Sequence, residues 1–423
     1  MFAKALEKIE PLFVNAWWVF GLALVVRLLV ILQGYDGDPQ DTPEYEEIAH
    51  NLLVGRGFVV SEWWYGFELW SWRAPFYPFF LAAIYSAFGP EQWVVRVVQC
   101  IIGALTAILV VGIAKQFSMK IAPVCGGLVI FYGPLVVISN EVMTETWFVF
   151  WIVLGIYGLL NKPQGWAWIL GGVAIGFAIL TRPVGALLLV AWVIFAWIRQ
   201  ENWRRVLGVC VVAVVVVLPW TVRNYYVHHT WPILSTQGGF IVARSNALNP
   251  DWKKEVGWDV SRPFLENMPS ELDRDRYWWR QGMTFVVTHP STYFRLVIER
   301  FIRLWYFFRP DYNFWWMLVL PVGIVGLWHS GFKGNYLFLL LFMGLSVVVF
   351  SCLLYGAARF RLPLEAVFLV FVGAGFRYLI NLWGIQKAMR ICGCVVLFHL
   401  LVDWQDIWLR GALLAVLRDF GMK

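Results

Sequence analysis

Val206-Leu-Gly-Val-Cys-Val-Val-Ala-Val-Val-Val-Val-Leu218 is apolar throughout, with no alternation of polar and apolar positions. A strand of a membrane barrel faces lipid on one side and a wet lumen on the other, so it alternates. An unbroken run is satisfied instead by a helix, whose backbone hydrogen bonds close within the segment. Apolar blocks of roughly 15 to 22 residues recur along the chain, close to the roughly 20 that cross about 30 Å of hydrocarbon. Of 423 residues, 60% are hydrophobic, 18% aromatic and only 14% charged, and the mean hydropathy is +0.66. Such a chain cannot cover itself with polar surface, so lipid is its solvent. The fold class is an all-α polytopic membrane protein of about ten to twelve transmembrane helices.

The net charge of +7 raises the question of nucleic acid. Lys and Arg, however, lie in short clusters between apolar blocks, the arrangement set by the positive-inside bias, and nucleic acid is excluded as a partner. Cys100, Cys125, Cys210, Cys352, Cys392 and Cys394 sit in or beside apolar blocks. Their spacing indicates neither a disulfide framework nor a metal site. Lys4 and Lys8 precede the apolar stretch Ala16 to Leu32, which is too long for a signal-peptide core and is expected to stay as the first membrane helix.

With Lys4 and Lys8 on the inner side, the stretch from Gly34 to Arg73 becomes an external loop carrying Asp36, Asp38, Asp41, Glu44, Glu46 and Glu47. Pro75 to Phe88 is short for a span, and Trp93 to Ala114 is full length. Only one can cross without turning the Lys115 to Lys120 link outward against the charge bias, so Pro75 to Phe88 is expected to be interfacial or re-entrant. Ser139 to Glu145, Thr181 to Pro183, Tyr225 to Pro310 and Ala357 to Arg361 then fall outside. The chain divides into a transmembrane module over 1–224 with its first external loop at 34–75, an external cap over 225–310, and a second transmembrane module with a tail over 311–423. The apolar segment Ile391 to Val402 is a candidate eleventh span, and Trp404 to Lys423 reads as an amphipathic tail.

The external side collects acids, including Glu141 and Glu145, together with Arg73, Arg182, Arg223, Arg359 and Arg361. A general base needs a carboxylate, and a phosphate leaving group needs fixed positive charge, which the planar guanidinium fork supplies well. The collection describes group transfer from a phosphate-linked donor. For each residue alone the plainer account is an arginine reaching the headgroup region or a solvated loop acid. Glu141 and Glu145 are spaced to share one helical face. Arg359 and Arg361 precede Pro363 at the start of a late span, where two cations can hold a lipid phosphate, and Arg73 can approach the same group. Arg182 and Arg223 are weaker candidates. His289, before Pro290, is expected to cap a turn, and Arg27 to face the bundle interior. Nothing resembles a nucleotide-binding glycine loop, a metal cluster or a nucleophile elbow.

The stretch Asp41-Thr-Pro-Glu-Tyr45-Glu-Glu-Ile-Ala49-His-Asn51-Leu-Leu-Val-Gly55-Arg-Gly57-Phe58, followed by Arg73-Ala-Pro75-Phe-Tyr77-Pro78, resembles the first external loop of polyprenyl-phosphate-sugar-dependent glycosyltransferases. This C-type superfamily includes protein O-mannosyltransferases and lipid A aminoarabinose transferases. Thr144-Glu145, Leu180-Thr181-Arg182-Pro183, Pro219-Trp220-Thr-Val-Arg223-Asn224, His289-Pro290-Ser-Thr-Tyr293 and Arg359-Phe-Arg361-Leu-Pro363-Leu364 extend the resemblance along most of the chain. It implies that Asp41 is the catalytic base, with Asp36 and Asp38 as competitors, and that Glu145 fits the second acidic position better than Glu141.

Tyr45, Ile48, Ala49, Leu52 and Leu53 are expected on one face of a helix opening just after Asp41, whose plainer role is a helix N-terminal acid. The resemblance further implies a polyprenyl-phosphate sugar as donor, a lipid, glycan or protein acceptor, and one inverting step without a cofactor. The acidic loop leaves room for a divalent ion. The compact length points to a bacterial inner-membrane enzyme with its site facing the periplasm. Two rival classes share the charged features: a lipid-linked-sugar transporter, for which no internal repeat is found, and a lipid-binding assembly subunit without catalysis.

Overall fold

The first membrane helix, α1 (Ala16–Leu32), is opened by Asn15, whose side-chain oxygen accepts from the amides of Trp17 (3.0 Å) and Trp18 (3.4 Å). The computed structural model describes residues 11–33, 41–62, 67–161, 166–231, 234–246, 268, 270–305, 310–330, 334–354, 356–384 and 387. Asp36, Asp38, most of 247–269 within the expected cap, and the segments expected at 391–402 and 404–423 lie outside the described residues.

Helix α2 (Thr42–Leu53) follows, with Pro43 in its first turn. A short antiparallel hairpin of β1 (Val60–Glu62) and β2 (Phe67–Leu69) pairs Val60 with Leu69. Then come α3 (Phe76–Phe88), α4 (Gln92–Phe117), α5 (Ala122–Phe131), α6 (Gly133–Val137), α7 (Glu145–Leu160), α8 (Ala167–Thr181), α9 (Ala186–Ile198) and α10 (Trp203–His228). The chain continues through α11 (Gly238–Asn246), α12 (Glu271–Thr288), α13 (Pro290–Trp305), α14 (Pro310–Ser330), α15 (Tyr336–Cys352) and α16 (Leu362–Trp383).

By length and composition, Gln92–Phe117, Trp203–His228 and Arg359–Trp383 can each cross a membrane, and Ala122–Phe131 with Gly133–Asn140 is an apolar pair bent by 55°, the geometry of a broken span or a re-entrant loop. Shorter apolar helices, including Ala16–Leu32, Glu145–Leu160 and Tyr336–Cys352, pack around them. Phe76–Phe88 has 13 residues, about 20 Å of helix and short of the hydrocarbon thickness. Helix α10 carries the apolar run from which the fold was read. It leaves Leu207, Val211, Val214, Val215 and Leu218 exposed, a stripe that costs about 25 cal/mol per Å² in water and nothing in hydrocarbon. It also runs on to His228, past the boundary expected at 224.

Two close approaches fix the bundle. A Cβ on Gly326 or Gly375 would strike the backbone of the facing helix, so α14 and α16 meet backbone to backbone. The bend at Tyr132 frees carbonyls near the end of α5, and Arg27, fully buried, donates to Val129 O (3.5 Å) there and to Ala23 O (3.0 Å) on its own helix. Tyr132 Oη donates to Glu365 Oε2 (2.9 Å) on α16, tying the same bend to a late helix.

The elements after β2 and around α11 to α13 are bolted down by buried polar groups. Glu271, at the start of α12, accepts from the amides of Trp70 (2.7 Å) and Ser71 (3.1 Å) and from the Thr236 hydroxyl. Arg300 on α13 donates to Asn246 Oδ1 (2.9 Å), Cys352 O (3.2 Å) and Ser245 O, joining α11 to the end of α15. These bonds hold the loop after β2 at a fixed place over the bundle, which positions Arg73.

Candidate active site

Asp41 immediately precedes α2, and Thr42 Oγ1 donates to Val142 O (3.1 Å), which pins the helix start against the turn before α7. An acid at this place ordinarily caps its own helix. The Asp41 side chain does not; it faces two guanidinium groups, with Oδ1 at 3.1 Å from Arg73 Nη2 and Oδ2 at 3.0 Å from Arg359 Nη1. Burial alone would raise the Asp41 pKa, but Arg73 and Arg359 together override it and hold the carboxyl at about 2. The helix-terminus reading of Asp41 therefore gives way to a carboxylate clamped between two cations.

Arg73 is the better buried of the two arginines, with its side chain 9% exposed against 30% for Arg359. Its Nε donates to Glu44 Oε2 (2.6 Å), which also accepts from Trp72 Nε1 (3.1 Å), and its Nη1 reaches Gln237 Oε1 (3.4 Å). The guanidinium lies 5.0 Å from the Tyr45 ring centre. Burial pushes the Tyr45 phenol up, so this side chain stays neutral among the charges of Arg73, Asp41, Arg182 and Glu145.

A second ion pair stands beside the first. Glu145, in the opening turn of α7, meets Arg182 Nη2 at 3.0 Å and accepts from Thr144 Oγ1 (3.1 Å). The guanidinium of Arg182 lies 5.6 Å from the ring of Phe360, and that of Arg359 lies at the same distance from it. Phe360 thus stands between the Asp41 carboxylate with its two guanidiniums, Arg73 and Arg359, and the Glu145–Arg182 pair, five residues from separate parts of the chain.

Several expected members are placed elsewhere. Arg361, two residues from Arg359 in the 3-10 turn Ala358–Arg361, is fully buried; it pairs with Glu365 and donates to Leu304 O. It is engaged in holding α16 to α13 and is out of reach of a ligand. Arg223 anchors the segments on either side of the β1–β2 hairpin, donating to Trp70 O (2.7 Å), Ser71 Oγ (3.0 Å), Asn224 Oδ1 (2.9 Å) and Phe58 O (3.2 Å). Glu141 and Glu145 do not share a helical face, because residues 141–144 form a turn and α7 begins only at Glu145. The carbonyl of Glu141 is held there by Gln99 Nε2 (2.6 Å). Of the residues expected on one face of α2, Tyr45, Ile48 and Ala49 are buried and Leu53 is exposed. His289 ends α12 with its backbone amide on Phe285 O (2.9 Å) and its ring stacked on Phe285, a turn residue as expected.

Glu44 and Gln237 complete the surroundings of Arg73 and were not singled out from the sequence. Glu44 stands three residues after Asp41 in the first turn of α2, a local signal that was available. Gln237 had none, being brought in only by the cap. Among the described residues, no three His, Cys, Asp or Glu side chains converge to hold a metal ion.

Next to the charged cluster lies an apolar cavity of about 720 Å³. Its walls include Phe76, Phe79, Phe80, Phe177, Leu180 and Trp220, with Arg223 at its edge. Phe76 follows Arg73 by three residues and Leu180 precedes Arg182 by two, so the apolar walls and the charged cluster are built from the same segments. The arrangement offers an anion a pair of guanidiniums, a chain of methylenes an aromatic trough, and a proton a half-buried carboxylate.

Residues 72–222 match the family model described as dolichyl-phosphate-mannose-protein mannosyltransferase. No curated protein sequence matches the chain. Among solved structures, the fold is similar to that of ArnT from Cupriavidus metallidurans bound to undecaprenyl phosphate, with a TM-score of 0.55 and 17% identity over 91% of this chain. It is also similar to the Archaeoglobus fulgidus oligosaccharyltransferase, with a TM-score of 0.54 and 14% identity over 92% of this chain. The chain spans 64% of the length of the former and 51% of the latter. The resemblance read from the sequence is met by the family match, and the all-α membrane fold by the structural ones.

Proposed function

We propose that the chain is a glycosyltransferase that moves a sugar from a polyprenyl-phosphate donor to an acceptor at the outer face of the membrane, in one inverting step with Asp41 as base. The carrying observation is the Asp41 carboxylate held at 3.1 and 3.0 Å from the guanidiniums of Arg73 and Arg359 beside an aromatic trough. The family match over 72–222, which takes in Arg73, Glu145, Arg182 and the trough, supports the assignment to lipid-phosphate sugar donors.

In this reading the donor enters from the bilayer with its isoprene chain along Phe76, Phe79 and Trp220. Its phosphate displaces Asp41 from the more exposed arginine, Arg359, and is held by Arg359 and Arg73 through charge-assisted hydrogen bonds. Two consequences follow from one event. The leaving group gains cations that stabilise its developing charge, and Asp41 loses a cation that suppressed its basicity. The carboxylate then takes the proton of the acceptor's nucleophile as that atom bonds to the anomeric carbon. The bond from that carbon to the phosphate oxygen breaks, and polyprenyl phosphate departs with the electron pair. A single base on one face gives inversion, since no sugar–enzyme intermediate forms. Glu145, paired with Arg182, fixes the far wall of the site and the position of Phe360.

Arg361 has no part in donor binding here, because its charge is used by Glu365. The acceptor is a lipid, glycan or protein, and the site opens on the side opposite the Lys115 to Lys120 link, the periplasmic side in a bacterial inner membrane. Native mass spectrometry of the purified protein tests the donor class. Bound polyprenyl phosphate or its glycosyl form is expected in the wild type and should be depleted in Arg73→Gln. A wild-type protein that binds neither, even when supplied with them, overturns the proposal.

A further inference from the structure

At the opposite end of the bundle a second cavity, of about 470 Å³, opens between α1, α4 and α7. The direction of the helices places it there. Gln92, at the start of α4, donates to Glu46 (2.9 Å) on α2, whereas Lys115 and Gln116 close the same 26-residue helix, about 39 Å long. Likewise Glu145 opens α7 at the charged site, and Tyr157 and Asn161 lie at the other end of that helix.

The cavity walls are apolar, with Val19, Ile108, Leu109 and Val111 among them, and four polar side chains line it: Lys115, Gln116, Tyr157 and Asn161. Gln116 is the telling one. Its Nε2 and Oε1 are both shut off from solvent and neither has a hydrogen-bond partner. A buried amide that satisfies neither its donors nor its acceptor is a standing cost unless something else occupies the space it faces. Lys115 gives one of its three protons to Val14 O (2.9 Å), leaving two. Asn161 is held in place by Arg205, which pairs with Glu201 (3.5 Å) and whose Nη2 donates to Leu159 O (2.7 Å) and Asn161 O (3.3 Å). Gly112 permits the close packing, since a Cβ there would come within 2.8 Å of the Tyr157 ring.

A cationic, hydrogen-bonding recess with apolar walls between membrane helices suits one kind of ligand, an anionic amphiphile whose head carries both a phosphate and groups that donate and accept. We propose that this cavity binds one anionic phospholipid of the membrane, its phosphate on Lys115 and its headgroup hydroxyl or ester on the Gln116 amide. The site is built from groups that the transfer chemistry does not use and stands independently of it.

The test uses the full-length protein in phosphatidylcholine nanodiscs doped with phosphatidylglycerol, read by native mass spectrometry after release. The wild type is expected to retain one phosphatidylglycerol in preference to phosphatidylcholine by about tenfold or more, the worth of one charge-assisted hydrogen bond. Gln116→Leu and Lys115→Met should each remove most of that preference. Lys120→Met, in the exposed link at the same end, should leave it intact. Gln116→Leu deletes an unsatisfied polar group, so it is expected to fold at least as well as the wild type, and a melting shift on adding phosphatidylglycerol should vanish with it. Undiminished retention in Gln116→Leu overturns the proposal. So does an equal loss in Lys120→Met, which would reduce the effect to surface charge, or displacement by millimolar glycerol phosphate, which would make the occupant a soluble anion.

Discussion

Replacing Arg359 by Gln tests the link between donor binding and base activation in one variant. Arg359 contacts Asp41 Oδ2 at 3.0 Å with a side chain 30% exposed, while Arg73, at 3.1 Å and 9% exposed, remains anchored by Glu44 and Gln237. Lowering the Asp41 pKa from 3.8 to about 2 amounts to about 2 kcal/mol of preference for the carboxylate. Burial opposes that shift, so the two arginines together supply more than it, and losing one removes on the order of 1 kcal/mol or more.

The sign is fixed by the group. In the free wild type the base is ionised throughout the accessible range, so kcat/KM should show no acid limb from Asp41 above about pH 4. In Arg359→Gln the limb should move upward by on the order of one pH unit, to about pH 3, so that only its shoulder reaches the acid edge of the measurable range near pH 4. Donor affinity should fall more than tenfold at the same time, from loss of a charge-assisted hydrogen bond worth about 1.5 to 3 kcal/mol. The assay is release of polyprenyl phosphate from a labelled lipid-linked sugar in proteoliposomes, followed across pH at low donor. A wild-type limb already near neutrality that the substitution leaves in place would refute the clamp. So would weakened donor binding with an identical pH profile, which would separate the phosphate site from the base.

Asp41→Asn should cut transfer by about 100- to 10,000-fold while donor binding persists, since the amide keeps the size of the side chain but accepts no proton. Activity of this variant equal to wild type, with donor and acceptor supplied, removes the proposed base. Arg361→Met should leave donor affinity nearly unchanged but lower stability by about 3 to 5 kcal/mol, because it strands the buried Glu365 carboxylate; thermal unfolding in detergent measures it, and pairing it with Glu365→Leu should recover much of the loss. Gln237→Ala should weaken donor binding only slightly, its contact with Arg73 being long at 3.4 Å, and a large loss would place Gln237 on the donor itself. A cysteine placed between Lys115 and Lys120 should resist an impermeant thiol reagent applied from outside, and labelling there would invert the topology.

The membrane class was fixed by quantities that each residue carries alone. Hydrophobicity sums along a run, so Val206 to Leu218 announced a lipid-facing helix, and its exposed stripe in the structure follows directly. The thirteen residues of α3 make about 20 Å of helix, a length legible by counting. Asp41, Glu145, Arg73, Arg182 and Arg359 were likewise legible as residue types on one side of the membrane. What the sequence did not contain was their pairing. Arg359 and Arg361 are the same residue two positions apart in the same polar string, yet a single 3-10 turn sends one to Asp41 and the other into the core with Glu365. Glu141 and Glu145 have helical spacing, but the helix starts only at the second of them. Gln237 reaches Arg73 because Glu271, bonded to Thr236 and to the amides of Trp70 and Ser71, ties that segment to the loop after β2. Ion pairs between distant segments depend on where helices cross and turns point, and those are set by packing of the whole bundle rather than by any local run of residues.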